Sequence, residues 1–222
     1  MKRYITLENI EFKYSKTDFR INNITLFFND TQTSVITGSN GSGKTTLAKI
    51  IMGILKADSG NIFIQENNAA SMSLPDRAGQ IGFCFQNPEK QFFSLSVIEE
   101  LAFSLRQRGC GSDDALSNAQ ELLARFSMQN KADEFHRNLS GGEKKVLSLL
   151  SMLSLDLPYY IMDEPAAGLD THCRKEINIM LSALKNKGTG LCIITHEKDS
   201  FKFLADRFIT MKNGSILNDE NT

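Results

Sequence analysis

The sequence carries no surplus of either charge: 25 Lys and Arg stand against 26 Asp and Glu, a formal net charge of -1. The basic footprint that nucleic acid would require is missing, so no nucleic-acid partner is expected. Cysteine and histidine are scarce, at four and three residues. Cys84, Cys110, Cys173 and Cys192 form no CxxC pair. That spacing excludes a zinc or dithiol motif and argues against a disulfide framework, and it fits reduced thiols in a reducing compartment. Long apolar runs are also absent. The richest, Val146 to Leu157, is broken by three serines and Asp156, far short of the ~20 apolar residues of a membrane span. Glu8 and Asn9 interrupt the N-terminus before any signal-peptide core can form. Work at a membrane would therefore need another subunit. Repeats, low-complexity tracts and linkers are lacking too.

What remains is a chain of 222 residues, 41% hydrophobic and 23% charged. This suits one globular domain with a lobe and a core that needs no staples. Strand-like and helix-like segments alternate, which predicts an α/β fold. Ile5 to Tyr14, Ile24 to Phe28 and Thr33 to Thr37 read as strands. Leu47, Ile50, Ile51 and Ile54 recur at helical spacing. Further strands are expected at 61–64, 80–85, 159–162 and 191–194, with a helix over 171–185. From about Ser96 to His136 the pattern turns helical. It opens with Ser96 and Glu99, a capping box. Asn213-Gly214 between two apolar runs predicts a type I′ hairpin. The polar tail from Asn218 is expected to fray.

Three clusters carry chemistry. Gly38-Ser39-Asn40-Gly41-Ser42-Gly43-Lys44-Thr45, followed by Thr46, fits GxxxxGK[ST] between a strand and a helix. Glycines at this spacing let backbone N–H groups turn inward around phosphate oxygens. Lys44 would reach the β- and γ-phosphates, and the Thr45 hydroxyl would bind Mg²⁺. The helix dipole points at the same anion. Asp163 and Glu164 end an apolar strand, where carboxylates are costly unless a cation compensates. Asp163 is expected to hold Mg²⁺, and Glu164 to act as the base that orients an attacking water. Leu139-Ser140-Gly141-Gly142-Glu143 forms a second capping box and also an anion site at a helix start.

Together these clusters resemble the ATP-binding-cassette ATPases, whose LSGGQ signature the LSGGE run matches. The resemblance covers the whole chain. It implies a P-loop NTPase fold with a mixed β-sheet core, an antiparallel β subdomain and an inserted α-helical lobe. The core would take about 1–90 and 157–222, and the lobe about 91–156. It implies ATP and Mg²⁺, with Tyr14 stacking on adenine, Gln86 touching Mg²⁺ and the attacking water, and His196 contacting the γ-phosphate. Asp170, in Ala167-Gly168-Leu169-Asp170, would lie in the loop that crosses between subunits. His136 and His172 match nothing in the family and are expected at the surface. The family works as a head-to-tail dimer, each ATP lying between one phosphate loop and the partner's signature. A second ATPase, identical or homologous, is therefore implied, with integral-membrane subunits above it at the cytoplasmic face of the membrane.

Phe85-Gln86-Asn87-Pro88-Glu89-Lys90-Gln91-Phe92-Phe93, followed by Val97-Ile98-Glu99-Glu100-Leu101-Ala102-Phe103, is similar to the energy-coupling-factor importers of vitamins and metal ions. Phe92 and Phe93 fit either a lobe core or an interface. Glu143 replaces the signature's usual Gln, Val146 a frequent Arg, and Ala166 a frequent Thr or Ser. Importer ATPases of this branch usually carry a C-terminal extension, whereas this chain stops at Thr222. Another transporter class, exporter or binding-protein-dependent importer, or a soluble cassette ATPase, also accommodates the motifs.

Overall fold

A computed structural model describes residues 2–16, 18–85 and 91–222. Ten strands and six α-helices alternate among these residues. They are β1 (Arg3–Lys13), β2 (Arg20–Asn29), β3 (Thr33–Thr37), α1 (Lys44–Ile51), β4 (Ser59–Ile64), β5 (Asn67–Asn68), α2 (Leu74–Ala78) and β6 (Ile81–Cys84). Then follow α3 (Val97–Gln107), α4 (Ser112–Arg125), α5 (Gly141–Leu153), β7 (Tyr159–Asp163), α6 (Thr171–Asn186), β8 (Gly190–Ile194), β9 (Arg207–Lys212) and β10 (Ser215–Asn221).

The chain divides into two units. The first takes residues up to Phe83, with 158–164 and 183–222. The second takes 84–157 and also draws in 165–182. A six-stranded mixed sheet in the order β10-β9-β3-β8-β7-β6 and a four-stranded sheet in the order β2-β1-β4-β5 account for the strands. β3 pairs in parallel with β8 and β9, and β8 with β7. β3, β7 and β8 are buried along their whole length. Continuous burial, rather than alternation, is what parallel strands covered on both faces show; β7 and β8 meet it with largely apolar residues, whereas β3 also buries Thr33, Ser34 and Thr37. The four-stranded sheet is antiparallel, and β1 alternates more loosely between buried and exposed positions.

The hairpin forms as its dipeptide demands: Asn213 (φ 50°) and Gly214 (φ 77°) both take left-handed backbone between β9 and β10. The tail differs from expectation. It does not fray but pairs with β9 through Asn221, and Thr222 N–H donates to Asp206 C=O at 2.9 Å. Arg207, 4% exposed, explains this: its guanidinium holds Asp219 of the tail strand and donates to the Phe27 carbonyl. A buried guanidinium needs such acceptors, so the polar tail strand is tied down by charge rather than by apolar contact.

In the helical unit, Ala115, Ala119 and Leu123 form the buried stripe of α4, continued by buried Phe126 just past its end. The α3 start is half of the expected capping box. Ser96 Oγ accepts from Glu99 N–H at 3.4 Å, but the Glu99 carboxylate is drawn to Arg106, two turns on, at 3.0 Å. A charge-assisted bond outcompetes a neutral backbone donor. His136 also departs from expectation. It is half-buried, its ring 5.1 Å from Phe92 and 4.3 Å from Phe135, and burial pushes its pKa down. His172 is exposed, as expected, with Nε2 2.9 Å from the Arg125 carbonyl.

Arg77, on α2, is a buried cation that donates to Ile51 C=O, at the C-terminus of α1, and to Ala69 C=O. A cation at a helix C-terminus is favoured by the dipole. Replacing it by Met takes this donor from the Ile51 carbonyl, a loss of about 1–3 kcal/mol for a buried group left unsatisfied, while the Ala69 carbonyl keeps the Met72 N–H at 3.1 Å. Urea unfolding of Arg77→Met is expected to show a lower midpoint with an unchanged slope. An unchanged midpoint would contradict the bolt.

Candidate functional site

The phosphate loop is shaped by close backbone approach. A Cβ on Gly38 (φ 148°) would come within 2.2 Å of the Met211 carbonyl, and one on Gly43 (φ 109°) within 2.8 Å of the Ile21 side chain. Gly214 N–H donates to the Ser42 carbonyl at 2.9 Å, so the β9–β10 turn buttresses the loop from below. Sequence reasoning identified the hairpin but not this role; nothing in its dipeptide announces what the turn leans on. Ser39, Asn40 and Gly41 form the exposed crest, while Ser42, Lys44 and Thr46 are buried.

Lys44 Nζ lies inside the loop, donating to the Gly38 carbonyl at 2.7 Å, the Ser39 carbonyl at 3.0 Å and Ser42 Oγ at 3.4 Å. Burial pushes its pKa down, opposed by the charges of Glu164 and Asp163. Beside it Thr45 Oγ1 donates to Asp163 Oδ2 at 2.6 Å. Asp163 is 2% exposed at the end of β7. Tyr14 is half-buried after β1, packed edge-on to Phe12 and with its hydroxyl 3.4 Å from Thr46 Oγ1.

Glu164 follows with left-handed backbone (φ 52°), its N–H donating to the Ile194 carbonyl at 2.8 Å. This kink turns its side chain toward residues 195–196. Glu164 Oε1 accepts from His196 N–H at 2.9 Å and lies 2.7 Å from His196 Nδ1, while Oε2 accepts from the Thr195 hydroxyl at 3.2 Å. The hydrogen bond and charge of Glu164 push the His196 pKa up; Glu197 adds to this, and desolvation and Lys44 oppose it. Lys44, Thr45, Asp163, Glu164 and His196 thus gather at one end of the parallel strands, where open α/β sheets bind ligands.

The second unit carries the other candidates. Ser140 caps α5: its Oγ accepts from Glu143 N–H at 3.3 Å, and its own N–H donates to Glu143 Oε2 at 2.7 Å. These bonds hold the Glu143 carboxyl below its ordinary pKa. A Cβ on Gly141 would meet open space, whereas one on Gly142 would lie 3.2 Å from the Gly168 carbonyl. Asp170 Oδ1 accepts from Cys173 N–H at 2.7 Å at the start of α6. Gln86 lies outside the described residues. Just beyond it, Gln91 Oε1 accepts from Ser148 Oγ at 2.7 Å. Buried Glu100, which sequence reasoning passed over, accepts the N–H groups of Phe93 (3.0 Å) and Ser94 (2.8 Å). The loop is held by its backbone, so Phe93 and Leu95 project outward, 81% and 83% exposed. Of the two readings of the aromatic pair, Phe93 is not core.

A glycine-shaped loop joining a parallel strand to a helix, with a Lys, a Thr and a strand-end Asp-Glu at its side, defines a P-loop nucleoside-triphosphatase of cassette type. The chain belongs to the ABC transporter family, whose sequence profile matches residues 21–167. It is 34% identical over 212 residues to the energy-coupling factor transporter ATP-binding protein EcfA1 of Thermotoga maritima, covering 96% of this chain and 80% of that one. Among solved structures, it is similar to cbiO1 of Clostridium perfringens, described as part of the ABC transporter complex cbiONQ (TM-score 0.79, 28% identity, 99% and 89% coverage). A dimeric ATP-binding cassette bound to ADP and Pi shares the fold (TM-score 0.85, 24% identity, 98% of each chain). The protein is thus an ATP-binding, ATP-hydrolysing component of the ABC transporter class. Among the described residues, no helix is long and apolar enough to cross a membrane.

The raised His196 pKa has a sign. The His196–Glu164 pair contributes fully below the unfolded value of about 6.5 and loses that contribution as pH rises through the raised folded value. The melting-temperature gap between the wild type and His196→Gln is expected to be widest at about pH 6 and to narrow toward pH 9. A gap that widens with pH would contradict the pairing.

Proposed function

We propose that this chain is the ATP-hydrolysing subunit of an energy-coupling-factor importer that drives uptake of a vitamin or metal ion through membrane partner subunits. The gathering of Lys44, Thr45, Asp163, Glu164 and His196 at one strand edge carries the hydrolytic part of this reading. The similarity to the Thermotoga protein supports the branch.

In this reading the N–H groups of 38–46 and the Lys44 ammonium bind the phosphates, and Tyr14 stacks on adenine. Thr45 and Asp163 offer adjacent hard oxygen donors of the kind Mg²⁺ takes, with Gln86 as a further ligand. The ion would neutralise phosphate charge when bound. Glu164 orients the water and accepts its proton as the water oxygen bonds to the γ-phosphorus and the bond to ADP breaks. His196 contacts the γ-phosphate. Ser140, Gly141, Gly142 and Asp170 complete the site of a partner cassette in a head-to-tail dimer at the cytoplasmic face of the membrane.

Glu164→Gln keeps the size of the side chain but cannot take the proton. Phosphate release is expected to fall about 10²–10⁴-fold while ATP binding survives. Near-normal turnover would overturn the assignment of Glu164.

The exposed Phe93 and Leu95 fit a surface that a membrane subunit covers. The double variant Phe93→Ser/Leu95→Ser adds no charge beside Glu100. It is expected to keep its melting temperature and basal ATPase activity yet fail to assemble with the membrane subunits, since truncating such anchors commonly costs more than ~2 kcal/mol. Co-purification from solubilised membranes checks this; full assembly would remove these residues from the interface.

A further inference from the structure

The carboxylate of Glu164 is held by two neighbours of different character. Oε1 is served by His196, through its backbone N–H at 2.9 Å and its ring Nδ1 at 2.7 Å. The His196 side chain is 52% exposed, so its ring has room to turn. Oε2 accepts from Thr195 Oγ1 at 3.2 Å. Thr195 is 2% exposed, and its backbone N–H donates at 3.0 Å to the Ile36 carbonyl on β3, the strand that enters the phosphate loop.

The hydroxyl proton of Thr195 has a defined direction. Glu197 N–H donates to Thr195 Oγ1 at 3.0 Å, so the oxygen acts as acceptor on that side. A hydroxyl has a single proton to give, and here the carboxylate oxygen of Glu164 takes it. Branching at Cβ restricts the rotamer of Thr195. A buried, rotamer-restricted donor with one direction fixes the plane of a carboxylate better than an exposed ring can.

We propose that Thr195 is a positioning residue for hydrolysis: its hydroxyl pins Oε2 of Glu164, keeping the carboxylate plane aimed while His196 engages the nucleotide. This rests on the reading of Glu164 as the group that orients water. Glu164 also carries strained, left-handed backbone (φ 52°), which sets the direction of its Cα–Cβ bond and leaves the aim of the carboxylate itself to the groups that bond it. The small displacement that loss of the pin would allow matters, because catalysis by orientation is steep in geometry.

Single-turnover hydrolysis of γ-labelled ATP, where slow rates can be followed for hours, tests the proposal alongside nucleotide affinity and thermal melting. Thr195→Val keeps the shape and removes the hydroxyl; Thr195→Ala serves if the Val variant does not fold. The hydrolysis rate is expected to fall about tenfold with ATP affinity unchanged, the scale of one hydrogen bond to a charged group. Thr195→Ser, which restores the hydroxyl, is expected to recover most of the rate. In a Glu164→Asp background, where the carboxylate is withdrawn from the pin, Thr195→Val is expected to cost almost nothing more. A wild-type rate in Thr195→Val, equal losses in the Val and Ser variants, or a full further loss in the Glu164→Asp background would each overturn the role. If Glu164→Gln itself keeps turning over, the assignment of Glu164 fails instead, which is a separate result.

Discussion

The parallel pairing of β3 with β8 and of β8 with β7 governs the arrangement of the chemistry. With Val35 opposite Ile193 and Met162 opposite Ile193, the three strands run in step. Each then ends at the same level. β3 delivers the phosphate loop, β7 delivers Asp163 and Glu164, and β8 delivers Thr195 and His196. A slip of one residue in either ladder would turn every side chain of that strand to the opposite face. It would also separate Thr45 from Asp163 and Glu164 from His196, which are far apart in sequence. The strands are buried on both faces, so the register is set by packing, and the site inherits its precision from the core.

That burial also sets the electrostatics. Lys44 and Asp163 are each less than a tenth exposed, and isolated charges at such depth would be costly. The loop carbonyls around Nζ, the Thr45 hydroxyl on Asp163 and the mutual attraction of Lys44 with the two carboxylates offset part of that cost. The charges survive because each is solvated by protein dipoles. Such dipoles are already oriented before any substrate enters, and that preorganisation is what stabilises charge in phosphoryl transfer.

Legibility in the sequence followed the range of the interactions. The phosphate loop, the acidic strand end and the Ser140–Glu143 cap depend on residues within a few positions of one another, and their spacing alone discloses them. The Asn213-Gly214 turn is readable for the same reason. What escaped were tertiary contacts. The support of the phosphate loop by Gly214 is one. The Arg207–Asp219 anchor that keeps the tail strand paired is another. The diversion of Glu99 to Arg106 shows how one cation, two turns away, overrides a local capping pattern. Thr195 escaped because a threonine after an apolar strand has no signature until the partner of its hydroxyl is known.

The helical unit solves a different problem by different means. Its candidate residues are held by local caps: Ser140 by Glu143, and Cys173 N–H by Asp170, whose carboxyl is thereby held below its ordinary pKa. The loop at 91–95 is likewise fastened by backbone N–H groups on Glu100 and by Gln91 on Ser148. Fastening a loop by its backbone leaves its side chains uncommitted. That is why Phe93 and Leu95 can point outward without loss of order in the chain beneath them, and why a buried carboxylate, an expensive device where a core Leu would pack more cheaply, has a purpose on α3. An apolar pair held outward on a fixed backbone loses little conformational entropy when covered, and such preorganisation is what makes a small surface bind well.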